Sequence, residues 1–179
     1  MEQAAPNEHA EVARAVGAAC HLDGDFLLRS GQRSTIYMDK YQFSSDPELL
    51  GRVVDLLIPM LPDDTEVLGG LELGGVPIAT AIGLRTGLPV AFVRKEAKTY
   101  GTARLAEGPD VNGRRVTIIE DVVSTGGQVA MSTVELRDRG ATVHEVVAVI
   151  DRSRGEHTPL DDAGVELRAL FTIDELLAE

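Results

Sequence analysis

Cysteine is almost missing from this chain of 179 residues: Cys20 stands alone, so no disulfide can close within it. A single free thiol fits a reducing compartment, and a cytoplasmic protein is expected. No early segment has the basic start and unbroken apolar run of a secretory leader. No apolar run approaches the roughly 20 residues that span a bilayer, so no membrane partner is expected. Positive charge is scarce as well. Seventeen Lys and Arg face twenty-nine Asp and Glu, leaving a net charge of −12. No long basic block offsets that balance, which argues against nucleic acid as the main partner. Internal repeats, low-complexity tracts and Pro/Gly/Ser-rich linkers are absent. The length suits one domain, residues 1–179, with a proper core.

Several chemical motifs are absent too. There is no G-x-x-x-x-G-K-[ST], which excludes a P-loop, and no G-x-G-x-x-G after the first strand of the core. Ser124 lies in Val-Val-Ser-Thr-Gly and lacks the first glycine of a nucleophile elbow. His9, His21, His144 and His157 have no metal-ligand spacing and read as structural or surface residues. Cys20 sits on the apolar side of a helical segment, where a buried thiol packs rather than reacts.

What is present alternates. A first helix is expected to open at Asn7 as N-cap, with Val12, Val16 and Ala19 on one face. Asp23-Gly24 signals a turn before Phe26-Leu27-Leu28, and residues 34–39 alternate as a strand. Asp46-Pro47 opens a second helix by capping and by proline at the first helical position; its stripe runs from Leu49 to Met60, and Pro62 closes it. Beyond it the rhythm is of short continuous apolar strands (67–68, 90–93, 116–119, 143–150 and 165–170) separated by helices, one of them near 76–84. That rhythm predicts an α/β fold, a mostly parallel sheet covered on both faces. Residues 1–45 lack the rhythm and read as an N-terminal helix and hood on the edge of a core spanning 46–179. Between 94 and 113 lies a polar stretch without strand or helix period, long enough to be a functional mobile loop.

The sharpest constellation is Glu120-Asp121-Val-Val-Ser124-Thr125-Gly126-Gly127-Gln128. A buried strand delivers two carboxylates, and a Ser-Thr-Gly-Gly turn then starts a helix that Gly140 stops. In open α/β sheets ligands bind at the C-terminal strand ends. Glycines let the backbone approach an anion, and free N–H groups of the helix start hold phosphate oxygens. The carboxylates would repel that phosphate if they faced it. They suit the vicinal hydroxyls of a ribose, so the motif reads as a grip on a phosphorylated ribose. The competing reading, that the acidic pair caps a helix, explains one carboxylate but not two. A second constellation, Arg94-Lys95-Glu96-Ala97-Lys98-Thr99-Tyr100-Gly101, concentrates three cations at the predicted ligand side. It is either a solvated loop or a lid that neutralises a leaving anion.

These residues carry a family resemblance. Glu120 to Gly127 resembles the phosphoribosyl pyrophosphate (PRPP) signature of type I phosphoribosyltransferases. The 94–101 stretch, together with Leu28-Arg29-Ser30-Gly31-x-x-Ser34-x-x-Tyr37, resembles the orotate phosphoribosyltransferases, over roughly residues 26–154. The resemblance implies the type I phosphoribosyltransferase fold and transfer of a phosphoribosyl group from PRPP to orotate in pyrimidine biosynthesis. It implies PRPP contacts at Arg94, Lys95, Lys98, Tyr100, Glu120, Asp121, Ser124, Thr125, Gly126, Gly127 and Gln128. Orotate contacts fall to Arg29, Tyr37, Ser124 and Arg152, and catalytic roles to Lys98, Lys95 and Asp121. It also implies pyrophosphate held by the 69–75 turn, Mg2+ carried mainly by PRPP without direct protein ligands, and a homodimer whose 94–113 loop serves the neighbouring active site. Two departures stand out. The 71–75 segment offers no lysine for pyrophosphate, and Tyr100 stands where some members have histidine. A phosphoribosyltransferase for another base and a non-catalytic PRPP or nucleotide sensor remain the rival readings.

Overall fold

The computed structural model describes residues 6–27, 31, 33–94 and 106–177. Two sheets form. A hairpin pairs β1 (His21–Leu27) with β2 (Arg33–Met38) antiparallel. The main sheet contains β3 (Val67–Leu71), β4 (Val90–Val93), β5 (Ala106–Glu107), β6 (Val116–Val123), β7 (Glu145–Asp151) and β8 (Glu166–Thr172), in the order β5-β4-β3-β6-β7-β8. All its pairs are parallel except β4 with β5. The expected mostly parallel α/β sheet is therefore present, with one antiparallel edge strand at a place where the sequence shows no strand period.

Helices cover both faces, as continuous apolar strands require. Against one face pack α1 (Pro6–Cys20), α2 (Tyr41–Ser45), α3 (Pro47–Leu57), α4 (Glu72–Thr86) and α7 (Ile173–Leu177), around Val12, Phe43, Val53, Leu57, Ile78 and Phe171. Against the other lie α5 (Gly127–Asp138) and α6 (Pro159–Asp162), around Val129, Leu136 and Leu160. The cap on α3 is as expected: Asp46 accepts from the N–H groups of Glu48 at 2.9 Å and Leu49 at 3.1 Å, with Pro47 at the first position. Such a cap contributes about 1 kcal/mol.

Several boundaries move. The first helix already starts at Pro6, so Asn7 lies inside its first turn rather than at its cap. Asp23-Gly24 is not a chain reversal but an irregularity inside β1, where the register with β2 shifts between Asp23 and Phe26; an extra residue absorbed in this way bends a strand without ending it. Gly69-Gly70 are strand residues, and α4 begins at Glu72 rather than near residue 76. The N-terminal segment is also less separate than a hood: Val12, Val16 and Cys20 of α1 belong to the same core as α3 and β8. Its amphipathic face needed a partner, and the sheet's outer helices supply one.

Candidate active site

Strand β6 runs through Glu120 and Asp121 to Val123, with Glu120 opposite Ala148 and Val123 opposite Asp151 on β7. The two carboxylates thus sit within the strand, not at its tip, and both are buried. Ser124 and Thr125 then turn the chain at the surface, and Gly126, at φ 70, caps α5. The Gly126 carbonyl accepts from the N–H of Ala130 at 2.9 Å, while the N–H groups of the first turn remain the natural anion site of a helix start. Gln128 reaches Ser132 along the helix at 3.3 Å. The expected strand, loop and helix are all present, in the expected order.

The first turn of α4 lies hard against this strand. A side chain on Gly75 would collide with the carbonyl of Ile119, and one on Gly74 with the Asp121 carboxylate. On its open side Asp121 meets Lys40, whose Nζ lies 3.1 Å from both carboxylate oxygens. Oδ1 also accepts from the N–H of Val122 at 2.7 Å, whereas Oδ2 has no hydrogen-bond partner among the described residues and only the charge of the ammonium beside it. Burial lowers the lysine's proton affinity, but Asp121 more than offsets this and holds Lys40 above its ordinary value. Sequence reasoning missed Lys40. Nothing local marks it, because its partner lies 81 residues away.

Burial first, and then the neighbouring Asp121 carboxylate, push Glu120 from 4.5 up to about 9. The folded state therefore keeps a proton that the unfolded chain releases. Stability linked to this group is full below about pH 4.5 and is lost as pH rises toward 9. Glu120→Gln, which keeps the neutral shape, should match the parent near pH 4.5 and exceed it by on the order of 2 kcal/mol at pH 8. Urea midpoints at the two pH values measure this; a gap that does not grow with pH would refute it.

A cleft of about 280 Å³ opens beside Lys40, lined among others by Tyr37, Tyr41, Ser124 and Arg152. Three of the four residues expected around an acidic base therefore converge, although Tyr37 and Ser124 are far apart in sequence. Tyr37 stacks loosely on Phe26 at 5.4 Å. Arg152 is anchored by its N–H to the Val123 carbonyl at 2.8 Å, and its exposed side chain makes no ion pair among the described residues. Cys20 also lines the cleft, but burial pushes its thiol up to about 11, so it packs there as an uncharged group. Arg94 follows β4 and lines a separate cavity of about 260 Å³ with Glu72 and Phe92. It shares the C-terminal edge of the sheet but not the cleft. Arg29, Lys95, Lys98 and Tyr100 lie outside the described residues. Glu72, in the segment without a lysine, takes a left-handed φ of 50 where β3 enters α4, a strained conformation of the kind stored at functional sites.

A carboxylate pair on a central strand, followed by a glycine-capped helix in a sheet of this order, defines a type I phosphoribosyltransferase. The fold itself is shared with adenine phosphoribosyltransferase from Leishmania donovani, at a TM-score of 0.67 and 16% identity over 97% of this chain and 87% of that one. No family model matches the chain. A curated orotate phosphoribosyltransferase from Nocardioides sp. is 57% identical over 93% of this chain and 93% of its own length. One from Methanocella arvoryzae is 40% identical over 86% and 88%. Among solved structures, the Mycobacterium tuberculosis orotate phosphoribosyltransferase in complex with PRPP superimposes at a TM-score of 0.80, with 28% identity, over 96% of this chain and 99% of that one. The chain belongs to the orotate phosphoribosyltransferase family.

Proposed function

We propose that this chain transfers the 5-phosphoribosyl group of PRPP to N1 of orotate, giving orotidine 5′-phosphate and pyrophosphate, as a step of pyrimidine biosynthesis. The observation that carries this reading is the convergence of Tyr37, Ser124 and Arg152 on one cleft beside the Glu120–Asp121 strand and the Gly126-capped helix. The family membership of the chain supports it independently.

In this reading the first N–H groups of α5, with the hydroxyls of Ser124 and Thr125, hold the 5′-phosphate. Gln128 and the glycines Gly126 and Gly127 shape that loop. Glu120 and Asp121 accept hydrogen bonds from the ribose hydroxyls. Arg152 pairs with the orotate carboxylate, with Tyr37 and Arg29 beside the base. The lone pair of orotate N1 forms the new bond at the anomeric carbon while the bond to pyrophosphate breaks, and the departing oxygen keeps its electrons. The N1 proton passes to water as the new bond forms, so no protein base is required. Lys95 and Lys98 take the role of neutralising the leaving group, with Arg94 and Tyr100 as further PRPP contacts, since the 71–75 segment carries Glu72 and no cation. The loop that bears them would serve the neighbouring subunit of a homodimer.

The donors in the site suit a metal carried by the substrate. Both oxygens of Asp121 already face Lys40, and no three His, Cys, Asp or Glu side chains converge among the described residues. Mg2+ would reach the site on PRPP, whose hydroxyls Glu120 and Asp121 hold, and would supply charge neutralisation to the pyrophosphate. No helix among the described residues is long and apolar enough to cross a membrane, and a cytoplasmic location accords with the single thiol.

The test is direct: protein, Mg2+, PRPP and orotate are mixed and the orotate absorbance followed. Loss of absorbance that depends on PRPP is expected. Turnover of another base with orotate inert would reassign the acceptor.

A further inference from the structure

Lys40 stands at the junction between the N-terminal segment and the catalytic strand. Its backbone is held on both sides. The Asp39 N–H donates to the Cys20 carbonyl at 2.8 Å, at the end of α1. The Asp39 carboxylate in turn accepts from the Tyr41 N–H at 3.0 Å and from Gln42 Nε2 at 2.8 Å, at the start of α2. From this fixed base the lysine crosses to the core and meets both oxygens of Asp121 at 3.1 Å. The ammonium and the Val122 N–H, which donates to Oδ1 at 2.7 Å, together set the rotation of the carboxylate, and the ammonium supplies the charge beside Oδ2. Gly74 closes the opposite side, so Asp121 has one orientation and is only 1% exposed. Lys40 lines the cleft, and 40% of its side chain remains exposed.

We propose that Lys40 is a positioning residue for phosphoribosyl transfer: acting through Asp121, it sets the carboxylate toward the ribose and holds the Tyr37 side of the cleft at a fixed distance from it. This rests on the function proposed above and adds to it a residue that the motifs do not mark. An unpaired buried carboxylate is costly and rearranges or takes up a proton, so the loss of Lys40 is felt where Asp121 works.

A double-mutant cycle tests the assignment, with Lys40→Met, Lys40→Arg, Asp121→Asn and the double variant Lys40→Met/Asp121→Asn compared for PRPP binding by calorimetry and for turnover. PRPP affinity should fall by about tenfold or more in Lys40→Met, and Lys40→Arg should stay within about threefold of the parent. The double variant should bind no more weakly than Asp121→Asn alone, because a residue that acts through Asp121 has nothing left to position. Additive losses in the double variant would overturn the proposal by placing Lys40 on the substrate itself. Affinity in Lys40→Met within about threefold of the parent would overturn it by leaving Lys40 without a role. If Lys40→Met does not fold, Lys40→Arg and the double variant, which leaves no unpaired buried charge, carry the same decision. Calorimetry needs no acceptor, so a parent that binds PRPP but leaves orotate untouched would defeat the acceptor assignment while the cycle still judges Lys40.

Discussion

Replacing Gly126 by alanine should lower kcat/KM for PRPP by about a hundredfold or more while leaving most of the fold intact. Two independent obstacles meet at this residue. Its φ of 70 is left-handed, a conformation that costs an L-residue about 1–2 kcal/mol. A methyl group would also come within 2.9 Å of Leu160 Cγ and 3.3 Å of its Cδ1. Leu160, the buried residue of α6, cannot swing away cheaply. The loop, not the core, is the part able to give way, and the loop is where the first N–H groups of α5 would meet the phosphate. A displacement of about 1 Å is enough for a loss of this size. Steady-state kinetics with PRPP varied, alongside thermal melting, separate the two costs. Turnover within about threefold of the parent would remove this turn from the phosphate site.

The second large effect belongs to Arg152, which lines the cleft. Arg152→Ala should raise KM for orotate by roughly 10- to 100-fold with little change in kcat, the size expected when charge-assisted hydrogen bonds to a carboxylate are removed. The arginine is held by its backbone N–H on Val123 and makes no internal ion pair among the described residues. Its truncation should therefore strip ligand binding without breaking a structural bridge. The milder change Arg152→Lys should recover only part of the loss, since a point charge cannot reproduce the two-pronged guanidinium contact. A KM that moves for PRPP but not for orotate would place Arg152 outside the acceptor site.

These two residues also mark how far the chain can be read unaided. Gly126 was legible because everything that defines it is local: β-favouring residues, an acidic pair, a glycine pair and a helical pattern follow one another along a single short stretch. Arg152 was legible only through likeness, since an arginine after a strand has no meaning of its own. The same locality decided the fold. Continuous apolar strands separated by helices imply a parallel sheet covered on both faces, and that sheet is present. Short-range cues failed where a distant partner outweighed them. Asp23-Gly24 reads as a turn, yet pairing with β2 keeps β1 running through it. The strand expected at 67–68 runs on through Gly69-Gly70, because the neighbours β4 and β6 hold both glycines in the ladder, and the close approach of α4 leaves no room for a side chain at Gly70.

By itself, then, the amino-acid sequence determined the α/β class, the strand-loop-helix from Val116 to Val129, and the capped helix at Asp46, because each is written in neighbouring residues. Only the tertiary structure decided that α1 shares the core instead of standing apart, that Tyr37 and Arg152 face one cleft, and that Lys40 holds Asp121. The last of these relations joins residues separated by 81 positions. No periodicity or spacing encodes them; they arise when burial of apolar faces brings distant segments together and the enclosed charges must find one another.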